Sequence, residues 1–205
     1  MIDLSSFLSV QLKSNLPGEK AHRLFAPYRY TTVTKKEIIH YRKSAVAIHL
    51  FPKNKAWHFI LIERSEYDGT HSKQIAFPGG KCDPEDKNPE FTARRESFEE
   101  IGLDWESGEF IGTLSEVNIP VSRFNVLPHL FVHHSPIEGL RKNEREVNQI
   151  LFVHLDELLL HPEKHFEEIE LSQGMKMKAP CFILQEKIVW GATALMLNEL
   201  RMLLK

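Results

Sequence analysis

The stretch from Gly79 to Leu103 constrains this chain more than any other. Asn88 suits a helix N-cap, Pro89 suits the first helical position, and Gly102 can take the left-handed conformation that closes a helix. One helix is therefore expected from Pro89 to Ile101. At about 100° per residue, Glu96, Glu99 and Glu100 share an arc of roughly 100°. Phe91, Phe98 and Ile101 fall on the other side, so an apolar face and a face of three carboxylates are expected.

Like charges spaced i, i+3, i+4 repel, each close pair costing about 0.2–0.5 kcal/mol. Arg94 and Arg95 flank the cluster without entering its centre. A divalent cation would turn the repulsion into coordination, and carboxylate oxygens alone suit Mg²⁺ or Mn²⁺ better than zinc. The helix alone leaves a solvated acidic face as the alternative. The preceding residues weigh against it. Gly79-Gly80 follows the apolar run Ile75-Ala76-Phe77 and Pro78. Such a loop lets backbone approach a ligand closely and offers N–H groups to an anion. A phosphate-accepting loop that leads into a metal-binding helix suits cleavage of a phosphate anhydride.

With Arg95, Glu96, Glu99, Glu100, Gly102 and Leu103 in place after Gly80, the chain resembles the Nudix hydrolases, whose signature is G-x5-E-x7-R-E-U-x-E-E-x-G-U with U a bulky aliphatic. It departs from that pattern in three ways. Asp86 stands where the first Glu belongs, one extra residue separates Asp86 from Arg95, and Ser97 replaces the first aliphatic. The extra residue is similar to the coenzyme A diphosphatase-like branch. That branch also has a Leu-Pro-Gly segment followed by Pro-x-x-Arg, here Leu16-Pro17-Gly18 and the neighbourhood of Pro27 to Tyr30. Before its glycines the branch carries Arg-Ser-x3-Arg-x3-Gly-x3-Phe-Pro-Gly-Gly. This chain keeps Arg64-Ser65 and Phe77 to Gly80, with Gly69 for the second Arg and Lys73 for the Gly. Asn143 with Glu146-Val147, and Trp190 to Ala194, match further family segments.

The resemblance implies an α/β fold, a Nudix-type α/β/α sandwich with a mixed sheet. It implies a metal-dependent diphosphatase that takes coenzyme A or an acyl derivative to 3′,5′-ADP and a 4′-phosphopantetheine product. A nucleotide or nucleotide-sugar (ADP-ribose-like) diphosphatase and a catalytically degenerate binding module are the rival expectations. Glu96 and Glu100, one turn apart, are expected as ligands of Mg²⁺ or Mn²⁺. Glu99 is expected to share the metal or to accept the water's proton. Glu146 is a distal base or ligand by family position, with a solvated loop charge as the alternative. Gly79, Gly80, Arg64 and Lys73 are the substrate-binding candidates, although Arg64 is as readily a surface partner of Glu63 or Glu66. Arg95 is expected to orient a carboxylate while pointing away from their arc, and Gly102 to close the helix. Ser97, on the helix flank, is expected to tolerate Leu.

With 205 residues, 42% of them hydrophobic, the chain has the length of one domain with small extensions. A net charge of −2 gives no basic excess for nucleic acid or anionic membrane. Cys82 and Cys181 form no redox or metal spacing and read as reduced thiols, hence a cytoplasmic expectation. The N-terminus shows no signal-peptide pattern, and no apolar run approaches the ~18 residues of a membrane span. The partner expected is a small-molecule diphosphate, and a homodimer is an open option. Residues 1–42 are expected as an N-terminal helix (2–16) and an irregular packing arm, and 43–205 as the hydrolase domain. Strands are expected at 45–51, 57–63, 110–117, 126–132 and 147–154, with Pro128 at an edge or bulge. A short helix at 155–160, a hairpin at 181–190 and a closing helix at 191–204 complete the reading.

Overall fold

The computed structural model describes residues 3–26, 40–66, 74–163, 165–170 and 174–205. The segment Pro27 to Tyr30 and the candidates Gly69 and Lys73 lie outside the described residues. The apolar run 45–51 extends into β1 (Arg42–Lys53), and β2 (Ala56–Arg64) folds back on it. Asn54 and Lys55 take φ of 50° and 64°, the mirror-image turn whose twist matches a two-residue hairpin. β3 (Ile75–Ala76) and β4 (Gly79–Lys81) follow, and then α3 (Pro89–Ile101), numbered after the N-terminal helices α1 (Leu4–Lys13) and α2 (Gly18–His22). β5 (Glu109–Thr113), β6 (Val117–Ile119), β7 (Phe124–Val132) and β8 (Val147–His154) complete an eight-stranded sheet. α4 (Leu155–Leu159), a three-stranded sheet of β9 (Phe166–Glu170), β10 (Lys176–Leu184) and β11 (Lys187–Trp190), and α5 (Gly191–Leu204) close the chain.

β1 is the axis of the large sheet. It pairs parallel with β7, and antiparallel with β2 at one end and with β4 at the other. Its side chains alternate between two different layers. Val46, Ile48 and Leu50 pack with Leu195, Leu197 and Leu200 of α5. Ala45 and Ala47 face Ala93 of α3, and Phe51 joins Ile101 beyond them. The α5 face is thus filled by large aliphatics, each worth about 1.5–3 kcal/mol on burial. The α3 face is lined by methyl groups that let the helix backbone approach the sheet. This is the mixed-sheet α/β/α sandwich that the resemblance implies.

Three local expectations change. The strand expected at 110–117 is broken into β5 and β6. Pro128 lies inside the sheet, with β1 on one side and β5 and β6 on the other. Its carbonyl accepts from Leu114 N at 3.0 Å, so its nitrogen, which has no hydrogen to donate, faces the break between β5 and β6. β9 was not expected, because its only buried position is Ile169 among glutamates.

The N-terminal arm also differs from the irregular segment expected. α2 forms within it, and Leu4, Leu8 and Phe25 join the main apolar cluster. Glu199 of α5, fully buried, holds the arm in place. It accepts from Gly18 N at 3.1 Å, Ser115 Oγ at 2.6 Å and His22 Nε2 at 2.9 Å. Asn198 Nδ2 donates to Ala21 O at 2.7 Å beside it. Glu199→Ala is expected to cost about 2–4 kcal/mol in urea unfolding, because it strands buried donors. A loss under about 1 kcal/mol would show that the arm docks without this cluster.

Candidate active site

The helix ends form as the sequence demands. Asn88 Oδ1 accepts from Phe91 N at 2.8 Å, Pro89 opens the first turn, and Gly102 closes it at φ 67°. The faces of the helix do not follow the expected division. Thr92, Ala93, Ser97, Glu100 and Ile101 are the buried residues, whereas Phe98 is half exposed and leans toward Trp105. Small residues turn toward the sheet because a Phe would hold the helix off Ala45 and Ala47. The three carboxylates therefore run from interior to solvent: Glu100 is 1% exposed, Glu96 13% and Glu99 48% by side chain.

Glu100 reaches beneath the glycine turn. Its Oε2 accepts from Gly79 N at 2.9 Å, and Oε1 lies 3.4 Å from Arg64 Nη1. The first N–H of the glycine loop is therefore committed to a carboxylate, not offered to an anion as the loop reading expected. A Cβ on Gly79 would strike the backbone of Ala45 and Val46, and one on Gly80 would strike the Glu96 carboxylate. Burial pushes the Glu100 carboxyl up to about 8, reinforced by the charges of Glu96 and Glu146 and opposed by Arg64 and Gly79. Burial raises Glu96 as well, again with Glu146 contributing. Glu146, at the exposed end of the 143–146 turn, is near enough for its charge to act on both. That turn is tied to α3 by Asn143 N donating to Glu100 O at 2.8 Å.

Arg95 corrects an expectation. It does not point away from the carboxylates but divides its five donors among Glu96, Glu99, Asp86 and the Lys81 carbonyl. Nη1 donates to Glu96 Oε1 and Glu99 Oε2, both at 2.9 Å. Nε and Nη2 grip Asp86 at 3.0 Å each, and Nη2 also reaches Lys81 O at 3.1 Å. Asp86, held at about 2 chiefly by Arg95, also accepts from Thr92 Oγ1 at 2.7 Å. Arg64 faces Glu100, while its neighbour Glu63 is taken by Lys187 and Asn148. The structure thus brings Glu96, Glu100, Glu146, Arg64, Gly79 and Gly80 together, with Glu99 held at the rim by Arg95. Lys73 is outside the described residues.

The donor set fits a divalent ion. Glu96 and Glu100 are hard oxygen donors whose charge is costly where it lies, and a cation would relieve it. Among the described residues, no three acids or histidines are already gathered to hold an ion. Sequence reasoning read Ser97 as tolerant and missed its partners His49 and His133. Ser97 is buried, its hydroxyl 3.0 Å from His49 Nε2, so Ser97→Leu would overpack the helix–sheet contact instead of being tolerated. The signal available was the departure at Ser97 itself, opposite a histidine within an apolar strand.

A buried and a partly buried carboxylate thus meet beneath a glycine turn, on a helix laid across a mixed sheet. The NUDIX domain matches residues 40–173, well over half of the chain, and the chain belongs to the Nudix family. It is a Nudix hydrolase, of a family that uses divalent metal ions. The uncharacterized Nudix hydrolase NudL of Photorhabdus laumondii is 29% identical over 164 residues, 78% of this chain and 83% of that protein. The human mitochondrial coenzyme A diphosphatase NUDT8 is 32% identical over 134 residues, 65% of this chain but only 56% of that protein. A MutT/nudix family protein from Enterococcus faecalis matches in structure at a TM-score of 0.51, with 13% identity, over 88% of this chain and 71% of that one, which bears on the fold alone. No helix among the described residues is long and apolar enough to cross a membrane.

Two outcomes follow from the geometry. Gly79→Ala is expected to lower stability by about 2 kcal/mol or more, because the obstacle is backbone. Gly80→Ala is expected to leave melting within a few degrees and to cut turnover about tenfold or more, because the obstacle is the movable Glu96 carboxylate. Equal thermal melts for the two variants would contradict this. A carboxyl raised on folding stabilises the fold only when protonated. Its contribution is complete below the unfolded value of 4.5 and is lost as pH rises toward 8. In chelator-treated protein, Glu100→Gln is therefore expected to be more stable than wild type at pH 8, on the order of 1–3 kcal/mol, with the gap closing toward pH 4. Calorimetric melts across that range test the sign.

Proposed function

We propose that this enzyme hydrolyses the diphosphate of coenzyme A or an acyl-coenzyme A, releasing 3′,5′-ADP and a 4′-phosphopantetheine product. The observation that carries the chemistry is the Glu96–Glu100 pair, one carboxylate partly and one fully buried under the glycine turn, both with raised proton affinity. The similarity to proteins named as coenzyme A diphosphatases supports the substrate. Glu96 and Glu100 would hold Mg²⁺ or Mn²⁺, with Glu99 at the rim. Such an ion supplies charge screening for the diphosphate and acidity to a bound water. Arg95 sets the Glu96 and Glu99 carboxylates. Arg64, at the end of β2, presents a guanidinium to the diphosphate oxygens. Glu146, exposed and within electrostatic reach of both buried glutamates, takes the proton of the attacking water. The water oxygen attacks one phosphorus, the bridging P–O bond breaks, and the leaving phosphate departs as a monoester. Its free thiols Cys82 and Cys181 suit a cytoplasmic setting.

The test is turnover of coenzyme A, dephospho-coenzyme A, ADP-ribose and a dinucleoside polyphosphate with Mg²⁺ or Mn²⁺, with products identified by mass. Coenzyme A is expected to be cleaved, with a preference over dephospho-coenzyme A that narrows in Lys73→Ala. Glu96→Gln and Glu100→Gln are expected to lower kcat/KM about a hundredfold or more. Glu146→Gln should lower kcat about 10²–10⁴-fold with KM little changed. Cleavage of ADP-ribose alone transfers the reading to a nucleotide-sugar diphosphatase. No turnover of any of the four overturns the coenzyme A reading.

A further inference from the structure

Beneath α3 runs a buried polar chain that the reaction scheme does not use. Ser97 Oγ donates to Ala93 O at 2.8 Å, so its lone pair is free to accept from His49 Nε2–H at 3.0 Å. That tautomer leaves His49 Nδ1 as an acceptor for His133 Nε2–H at 3.1 Å. His133 Nδ1 then faces the Ser107 hydroxyl at 3.4 Å. The direction of every bond follows from the first, and both imidazoles are neutral. His49 is 1% exposed and Ser97 2%. The His49 ring lies stacked on Phe131, with centroids 5.1 Å apart.

The place of this chain in the fold gives it a consequence. β1 carries the glycine turn by its backbone: Ala47 N donates to Pro78 O at 2.8 Å, and Val46 and Ala45 pair with Gly79 and Gly80. Two residues further on, the same strand carries His49, which bonds α3. Elsewhere β1 meets the middle of α3 through Ala45 and Ala47 against Ala93, methyl on methyl. Such a contact holds the helix close but resists sliding weakly, whereas a hydrogen bond is directional. Ser97 lies on α3 between Glu96 and Glu100, the two residues that must meet Gly80 and Gly79.

We propose that His49 and Ser97 are positioning residues that set the register of α3 on β1, and with it the placement of Glu96 and Glu100 beneath the glycine turn. The proposal rests on the ion-binding role given above to those two glutamates. It also accounts for the signature's departure at Ser97. A bulky aliphatic would hold the helix through packing alone, whereas here a hydroxyl and an imidazole specify one register. An apolar pair of matching volume would hold α3 about as firmly, since a net buried hydrogen bond is worth only about 1 kcal/mol. Stability and register can therefore be separated by mutation.

Three variants make the separation. Ser97→Ala removes the acceptor, Ser97→Thr keeps it, and His49→Leu with Ser97→Val replaces the pair by hydrocarbon. Each is measured for melting, for Mn²⁺ affinity by paramagnetic resonance, and for kcat and KM on whichever diphosphate the wild type cleaves. Ser97→Ala is expected to weaken Mn²⁺ binding about fivefold or more and to lower kcat about tenfold or more, with KM within about twofold. The double variant, which also unpairs His133 Nε2, should melt only a few degrees below wild type yet keep the low kcat and weak Mn²⁺ binding. Ser97→Thr should restore both. Wild-type kcat and Mn²⁺ affinity in Ser97→Ala, whatever its melting temperature, would overturn the proposal and leave the chain a packing feature. Absence of Mn²⁺ binding in the wild type would instead overturn the glutamate site on which the proposal stands, and the proposal with it.

Discussion

The burial of the Glu100 carboxylate beneath the Gly79 amide is the constraint to which the neighbouring structure answers. An ionised carboxylate in a 1% exposed position is costly unless it finds donors or a cation. One amide at 2.9 Å and a distant guanidinium offset only part of that cost, and the carboxyl rises to about 8. The arrangement demands close approach on every side. Gly79 must lack a side chain because the β1 backbone is against it, and Gly80 because Glu96 is against it. Ala45 and Ala47 must be small because α3 lies on them.

Arg95 provides the complementary order at the rim. Its five donors join Asp86, the end of β4, Glu96 and Glu99 in one planar fork. Lysine lacks that geometry. The Asp in place of the signature's first Glu is therefore accommodated as the partner that anchors Arg95. The carboxylates acquire different characters from depth alone: Glu100 is strained by burial, Glu96 is shared with Arg95, and Glu99 is half in solvent. The two faces of the sheet divide the work as well. The α5 face holds the fold through bulky aliphatics and the Glu199 cluster, whereas the α3 face combines small residues and directional polar contacts under the middle of the helix with a bulky cluster around Phe51 and Ile101 at its end.

Much of this was legible along the chain because it depends on residues near one another in sequence. The helix from Pro89 to Ile101 is set by Asn88, Pro89 and Gly102, each acting on its own turn, and it forms where those residues place it. The β1–β2 hairpin and the closing helix are equally local. The carboxylate spacing, the glycine pair and the family pattern pointed to a Nudix hydrolase, and the chain belongs to that family. What tertiary contact decided was direction. Helical periodicity ranks Phe98 above Ser97 for burial, yet the approach of α3 to Ala45 and Ala47 turns Ser97 inward and leaves Phe98 half exposed. It also sends Arg95 into the carboxylates, spends the Gly79 amide on Glu100, and seats Pro128 inside the sheet opposite a break between strands. Each of these turns on a partner distant in sequence, such as His49 for Ser97 or Gly79 for Glu100, and no local propensity encodes which side chain of another element will stand opposite.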